Sequence, residues 1–144
     1  MITLQNITRD NFHGVLRLAV LDEQKDFVAS NMYSLAQAKA QPECVPLAIY
    51  CNLDLVGFMM YCMDVEDQEY WIYRLMIDKQ YQQQGYGSAA MNRILEILRQ
   101  DTEHNKVYIS VEPENEAAIK LYEKKGFVAD GRVLDGEVVY CLQY

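Results

Sequence analysis

The sequence is short of the residues that staple or punctuate small folds: in 144 residues it has three prolines, seven glycines, two histidines and one tryptophan. Four cysteines, Cys44, Cys51, Cys62 and Cys141, stand singly with no CxxC pair. That spacing supplies no disulfide framework and, with His13 and His104 read as isolated surface residues, no zinc ligand set. The thiols are therefore read as small buried hydrophobes of a reducing compartment, and no metal is expected. No apolar run approaches the roughly 18 residues of a membrane span, and the opening MITLQNITRDNF lacks the basic leader and apolar stretch of an export signal. A cytoplasmic chain with no membrane partner is expected.

Bases are scarce as well. Thirteen Lys and Arg stand against 21 Asp and Glu, a net charge of −8. A nucleic-acid backbone is excluded as a partner, because such binding needs clustered cations. Positions 1 to 72 hold ten acids and four bases, a balance of −6 that leaves −2 for the rest. This division suits a chain that meets a cation with its first half and an anion with its second, and it equally suits a solubilising surface.

What is present is enough apolar residue, 51%, to bury a core in one domain over 1–144. Ile2 to Ile7 predicts a strand, and Asp10 a cap for a helix whose face is Phe12, Val15, Leu16 and Ala19. Ser34 predicts the cap of a short second helix ending before Pro42. Val45 to Cys51 and Leu55 to Cys62 read as a hairpin turning at Asn52-Leu53-Asp54, and Tyr70 to Ile77 as a strand covered on both faces. A helix follows with the stripe Met91, Ile94, Leu95 and Leu98, then a strand from Lys106 to Val111. A helix carrying Ala118, Leu121 and Tyr122 stops at Gly126, and a hairpin turning at Asp135-Gly136 closes the chain. The pattern βαα-βββ-α-β-α-ββ predicts an α/β (α+β) fold, a mixed sheet of about seven strands with four helices distributed over both faces.

Gln82-Gln83-Gln84-Gly85-Tyr86-Gly87 joins a strand to an amphipathic helix. Glycines there bring backbone N–H groups together at a helix start, where a phosphate is favoured; a plain strand-to-helix turn has the same composition. No Gly-Lys-Ser/Thr follows and the three-glycine dinucleotide fingerprint is absent, so neither a P-loop nor a dinucleotide site is expected.

Taken together, Gln82-x-x-Gly85-x-Gly87 and Asn115-x-x-Ala118-x-x-Leu121-Tyr122-x-x-x-Gly126-Phe127 resemble the GCN5-related N-acetyltransferase superfamily. The run Leu55-Val56-Gly57-Phe58, the segment Trp71 to Asp78 and Tyr81-Gln82 are nearest to the bacterial spermine/spermidine and diamine acetyltransferases. The resemblance implies acetyl-CoA as cofactor, CoA as product and a small cationic amine as substrate. It implies that Gln82 and the amides of Gln84, Gly85, Tyr86, Gly87 and Ser88 serve the pyrophosphate. Main-chain groups of Leu75, Met76 and Ile77 would pair with the pantetheine arm, in a gap between the central strand and the strand from Lys106. It further implies that Asn115 contacts the cofactor and that the Tyr122 hydroxyl points at the thioester sulfur as general acid.

Attack on a thioester needs a neutral amine and a donor for the negative oxygen that develops, for which the Met76 N–H is the expected group. On the acceptor side, Asp22, Glu23, Asp26, Glu66 and Glu69 are the expected carboxylates and Tyr33, Tyr61, Tyr70 and Tyr73 the expected walls. Tyr73 stands where polyamine-acetylating relatives tend to have aspartate, which leaves the proton acceptor unidentified; Glu69 is one candidate. An aminoglycoside, another small amine or a protein N-terminus remains open as acceptor, as does a non-catalytic acyl-CoA-binding module. The resemblance also implies a homodimer formed through exposed strand edges.

Overall fold

A computed structural model describes all 144 residues. Seven strands form one sheet: β1 (Ile2–Asn6), β2 (Cys44–Cys51), β3 (Asp54–Met63), β4 (Tyr70–Ile77), β5 (Lys106–Val111), β6 (Val128–Leu134) and β7 (Glu137–Gln143). The four helices are α1 (Phe12–Arg17), α2 (Asn31–Ala40), α3 (Tyr86–Leu98) and α4 (Glu116–Lys124), and a 3-10 segment spans Asp22–Phe27. The strand order is β1-β2-β3-β4-β5-β7-β6. Only β4 and β5 are parallel, as required by the crossover through α3. β7 enters beside β5 and leaves β6 at the edge, exposed along its whole length.

Both faces of the sheet are covered. The predicted α3 stripe is buried, joined by Ala90, and packs with Ile72, Val107, Ile109 and Tyr122 over one face. On the other face Val15 of α1 packs on Phe58, Met60 and Met76. Fully burying a side chain of this size contributes about 1.5–3 kcal/mol, so even the short α1 is fixed by one residue.

Two expected caps lie elsewhere. Asp10 gives no cap, because Thr8 and Asn11 already close the turn: the Thr8 N–H donates to Asn11 Oδ1 at 2.8 Å and the Asn11 N–H to Thr8 Oγ1 at 3.3 Å. α1 then ends at Arg17, which leaves Leu16 exposed and Ala19 beyond the helix. α2 begins one turn before Ser34, with Ser30 Oγ accepting from the Tyr33 N–H at 3.1 Å. Ser34 is fully buried inside the helix; it donates to Ser30 O and accepts from Arg74 Nε, each at 3.0 Å.

β3 and β4 approach most closely at Gly57, where an added Cβ would overlap the Met76 carbonyl oxygen and lie 2.9 Å from Ile77 Cδ1. The obstacle is main chain and cannot move aside. Gly57→Ala is expected to cost about 1–3 kcal/mol, read as a lower urea midpoint; an unchanged midpoint would show that β4 can shift freely.

Candidate active site

The site begins with one extra residue. Opposite β3, Met60 pairs with Arg74 and Tyr61 with Ile72, so Tyr73 is unpaired and the strand bulges. On its other side β4 pairs with β5 at three positions only, ending at Ile72↔Ile109. Beyond that point the two strands separate and the sheet opens. Alternation decides which groups face the gap. The Asp78 N–H donates to Val56 O of β3 at 2.8 Å, so the Met76 main chain turns to β3 as well, and Leu75 and Ile77 turn away from it. The expectation that Met76 N–H faces a bound carbonyl is thus corrected; the amide in that position is Leu75. The Ile77 carbonyl is itself taken, accepting from Gln82 Nε2 at 3.0 Å.

Gln82 does more than fill that bond. Its side-chain amide pairs reciprocally with that of Gln24, at 2.8 and 3.1 Å, and fastens the 3-10 segment to the glycine-rich turn. Within the turn Gln83 and Gly85 both have positive φ, 63° and 82°. This left-handed geometry aims successive amides the same way. From Gln84 to Ser88 no backbone N–H donates to any acceptor in the protein, and a Cβ on Gly85 would meet open space. Five free donors at the positive end of a 13-residue helix fit a pyrophosphate.

Tyr122 is fixed at the other side of the gap. Asn115 caps α4, its Oδ1 accepting from the Ala118 N–H at 3.4 Å. The helix ends in a Schellman motif: Gly126 (φ 100°) donates to Glu123 O and Phe127 to Tyr122 O, each at 3.0 Å. The Phe127 ring lies 5.9 Å from that of Tyr122. Tyr122 is buried and its hydroxyl has no protein partner. Burial first, and the Glu137 carboxylate second, push its phenol well above the ordinary range, so it stays a neutral O–H donor.

These groups line one cleft of about 1020 Å³. Its lining carries the carboxylates Asp64, Glu66, Asp67, Asp135 and Glu137 but only two cations, Arg74 and Arg132. Both cations are occupied. Arg74 bonds Ser34, Gln37 and its neighbour's carbonyl, while Arg132 pairs with Asp130 at 2.7 Å and lies over the stacked rings of Trp71 and Tyr108. Asp64 accepts from the Tyr73 hydroxyl at 2.8 Å and Asp67 from the Trp71 indole at 2.9 Å. The loop bearing these acids is tied down by His104, whose ring nitrogens face Asp101 Oδ2 at 2.9 Å and Gln68 O at 3.0 Å. Desolvation acts against the charged ring, yet the Asp101 bond and charge outweigh it and raise its pKa.

Residues 5–127 match the model of the Acetyltransferase (GNAT) family. The chain belongs to that family. It is 31% identical to a probable spermine N(1)-acetyltransferase of Bacillus subtilis subsp. natto, over 96% of this chain and 95% of the relative. Among solved structures it superposes on an aminoglycoside acetyltransferase bound to coenzyme A with a TM-score of 0.82 at 18% identity, covering 99% of this chain and 95% of that one. A spermidine N-acetyltransferase from Vibrio cholerae, in complex with CoA and spermine, gives 0.77 at 17% identity with the same coverage. No helix of this acetyltransferase is long and apolar enough to cross a membrane.

The cleft of the acetyltransferase brings together Leu75, Met76, Ile77, Gln82, Gly85, Tyr86, Gly87, Ser88, Asn115 and Tyr122, and from the acceptor set Glu66 and Tyr73. Gln84 belongs to the turn but does not line the cleft. Asp22, Glu23, Asp26, Tyr33 and Glu69 are not brought to it. Asp22 pairs with Lys25 in solvent, and Tyr33 is 60% exposed with its ring 5.9 Å from the Arg74 guanidinium carbon. Glu69 faces Lys106 at 3.9 Å through Oε1, and its Oε2 is buried without a partner away from the cleft lining. Asp64, Asp67, Trp71, Ser110 and Glu137 line the cleft without having been singled out in the sequence for that role. The alternation of Tyr108 and Ser110 with buried Val107, Ile109 and Val111 was the available signal for Ser110. Gly85→Ala should cost stability about 1–2 kcal/mol for a left-handed alanine and, by placing a methyl among the free amides, weaken acetyl-CoA binding about tenfold or more. Titration calorimetry checks this; an unaltered affinity would move the phosphate site elsewhere.

Proposed function

We propose that this acetyltransferase moves the acetyl group of acetyl-CoA onto a primary amine of a polyamine or diamine. The observation that carries the reading is the polarity of the cleft: unpaired amides and no charged side chain from Gln82 to Ser88, carboxylates with aromatic walls at the opposite end. An anionic carrier and a cationic acceptor are each matched by the end they would occupy. The full-length likeness to a probable spermine acetyltransferase supports the same class.

Bound acetyl-CoA supplies the activated acetyl thioester. Amides Gln84 to Ser88 hold its phosphates, the Leu75 carbonyl and the Ile77 N–H pair with its arm, and the Leu75 N–H faces the developing oxyanion. Tyr122 gives a proton to the departing sulfur. Asp64, Glu66 and Asp67 take the distal ammonium groups, with Trp71 and Tyr73 against the methylenes. Tyr73 therefore does not remove a carboxylate from this position; its hydroxyl seats Asp64 there. The same proposal includes a cytoplasmic homodimer joined over the β6 edge, where Val128 and Val133 are 68% and 63% exposed; a monomeric sedimentation coefficient at micromolar concentration would overturn the dimer.

A thiol-release assay with acetyl-CoA tests the reaction against spermidine, a monoamine, an aminoglycoside and a short peptide. Spermidine is expected to exceed the monoamine in kcat/KM by about tenfold or more, and equal values would overturn the polyamine cleft. Tyr122→Phe is expected to lower kcat by about 10²–10⁴ while acetyl-CoA affinity stays put; unchanged turnover would take Tyr122 out of the chemistry.

A further inference from the structure

We infer that Glu137, held by Ser110, is the group that takes the proton lost by the attacking amine. The inference rests on the acetyl-transfer reading and adds the base that reading lacks.

Ser110 lies on β5 just past the last β4 pair, so it stands at the wall of the gap. Its hydroxyl donates to Glu137 Oε1 at 2.6 Å, and this short bond orients the carboxylate at the start of β7. The other oxygen, Oε2, takes no hydrogen bond from the protein. Among the cleft's carboxylates this is distinctive. In Asp64 one oxygen accepts from Tyr73 and the other from the Glu66 N–H. In Asp67 the partners are Trp71 and the Glu69 N–H. Glu66 and Asp135 sit exposed on turns. Only Glu137 is both half-buried and left with an oxygen free of protein partners.

Its place relative to Tyr122 matters as much. Val107, Ile109 and Val111 point to the face covered by α3 and α4, so Ser110 and its partner Glu137 lie on the opposite face. Tyr122 rises from the α3 and α4 face. Glu137 is the one charged group that acts on the Tyr122 phenol. An acid and a base thus flank the gap from its two sides, while Arg74 of β4 and Arg132 and Asp135 of the terminal hairpin complete the charged surroundings.

The amine enters as RNH2, having left one proton in solvent. As nitrogen bonds to the acetyl carbonyl carbon it becomes cationic, and its surplus proton passes to Glu137. In that bonded state the nitrogen is a far stronger acid than the free ammonium, so a carboxylate suffices. The carbon–sulfur bond then breaks, the sulfur takes the Tyr122 proton, and solvent carries the Glu137 proton back to the phenolate.

The test uses the full chain with acetyl-CoA and spermidine. Glu137→Gln is expected to lower kcat by about 10²–10⁴, with spermidine KM and acetyl-CoA Kd within about threefold of wild type. A loss confined to KM would make Glu137 an amine anchor, and a kcat within about threefold would leave it a bystander; either overturns the assignment. Ser110→Ala, which keeps the carboxylate but frees it, should lower kcat about tenfold with spermidine KM and acetyl-CoA Kd within about threefold of wild type; an unchanged kcat, or a loss confined to KM, would overturn the assignment even if the Glu137 variant failed to fold. A wild-type chain that releases no thiol with any amine would instead overturn the acetyl-transfer reading itself.

Discussion

The bulge at Tyr73 is the constraint on which the site depends. Without the extra residue, β4 would continue its three-residue pairing with β5, and the edge formed by Leu75 and Ile77 would be buried in a ladder. With it, the twist increases locally and the strands part. Arg74 steadies the irregularity from within: burial works against its charge and lowers its pKa, yet Ser34, Gln37 and the Tyr73 carbonyl meet its donors at 2.8 to 3.0 Å. The buried serine inside α2 is therefore part of the apparatus that keeps the sheet open.

An open sheet exposes main-chain groups, and exposed main-chain groups are costly unless something meets them. Gln82 satisfies the Ile77 carbonyl; Leu75 and the amides of Gln84 to Ser88 are left for a ligand. The fold thus stores its binding capacity as unsatisfied backbone donors, which explains how a chain of charge −8 can hold a polyanion with no lysine or arginine in the phosphate turn. The acids are kept at the far end, and the loop that carries Asp64 and Asp67 is fastened by His104 to Asp101 and Gln68.

The fold was largely legible because its signals are local. The α3 stripe, the Gly126 stop and the two-faced run Tyr70 to Ile77 each follow from a few neighbouring residues, and the glycine turn is set by its own φ angles. The acceptor end was legible only at Glu66 and Tyr73, and the rest was hidden for topological reasons. The charge balance of the first half fits a cation site and a solubilising surface equally, and Asp22, Glu23 and Asp26, expected at the acceptor cleft from the resemblance, are turned to solvent by the 3-10 segment. Asp135 and Glu137 come from the second half; they reach the cleft because β7 inserts between β5 and β6, a non-sequential placement that composition does not encode. Likewise Glu69 and Asp67 are two residues apart, yet one meets Lys106 and the other Trp71.

Strand parity and the end of α4 also set which groups face the gap. Leu75 rather than Met76 faces the gap because Asp78 is bonded to Val56 on β3. Of the α4 residues that line the cleft, Ala117, Ala118, Leu121 and Tyr122, only Tyr122 has a side chain with a proton to give, and its carbonyl is bonded to the Phe127 N–H in the terminal motif of the helix. A phenol held there, desolvated and beside a carboxylate, is protonated at rest, so it meets the reaction as a donor and not as a base. On the proposed reaction, acid chemistry falls to the α4 face, and the carboxylate of Glu137, held by Ser110, stands on the other face of the sheet beside Trp71 and Tyr73.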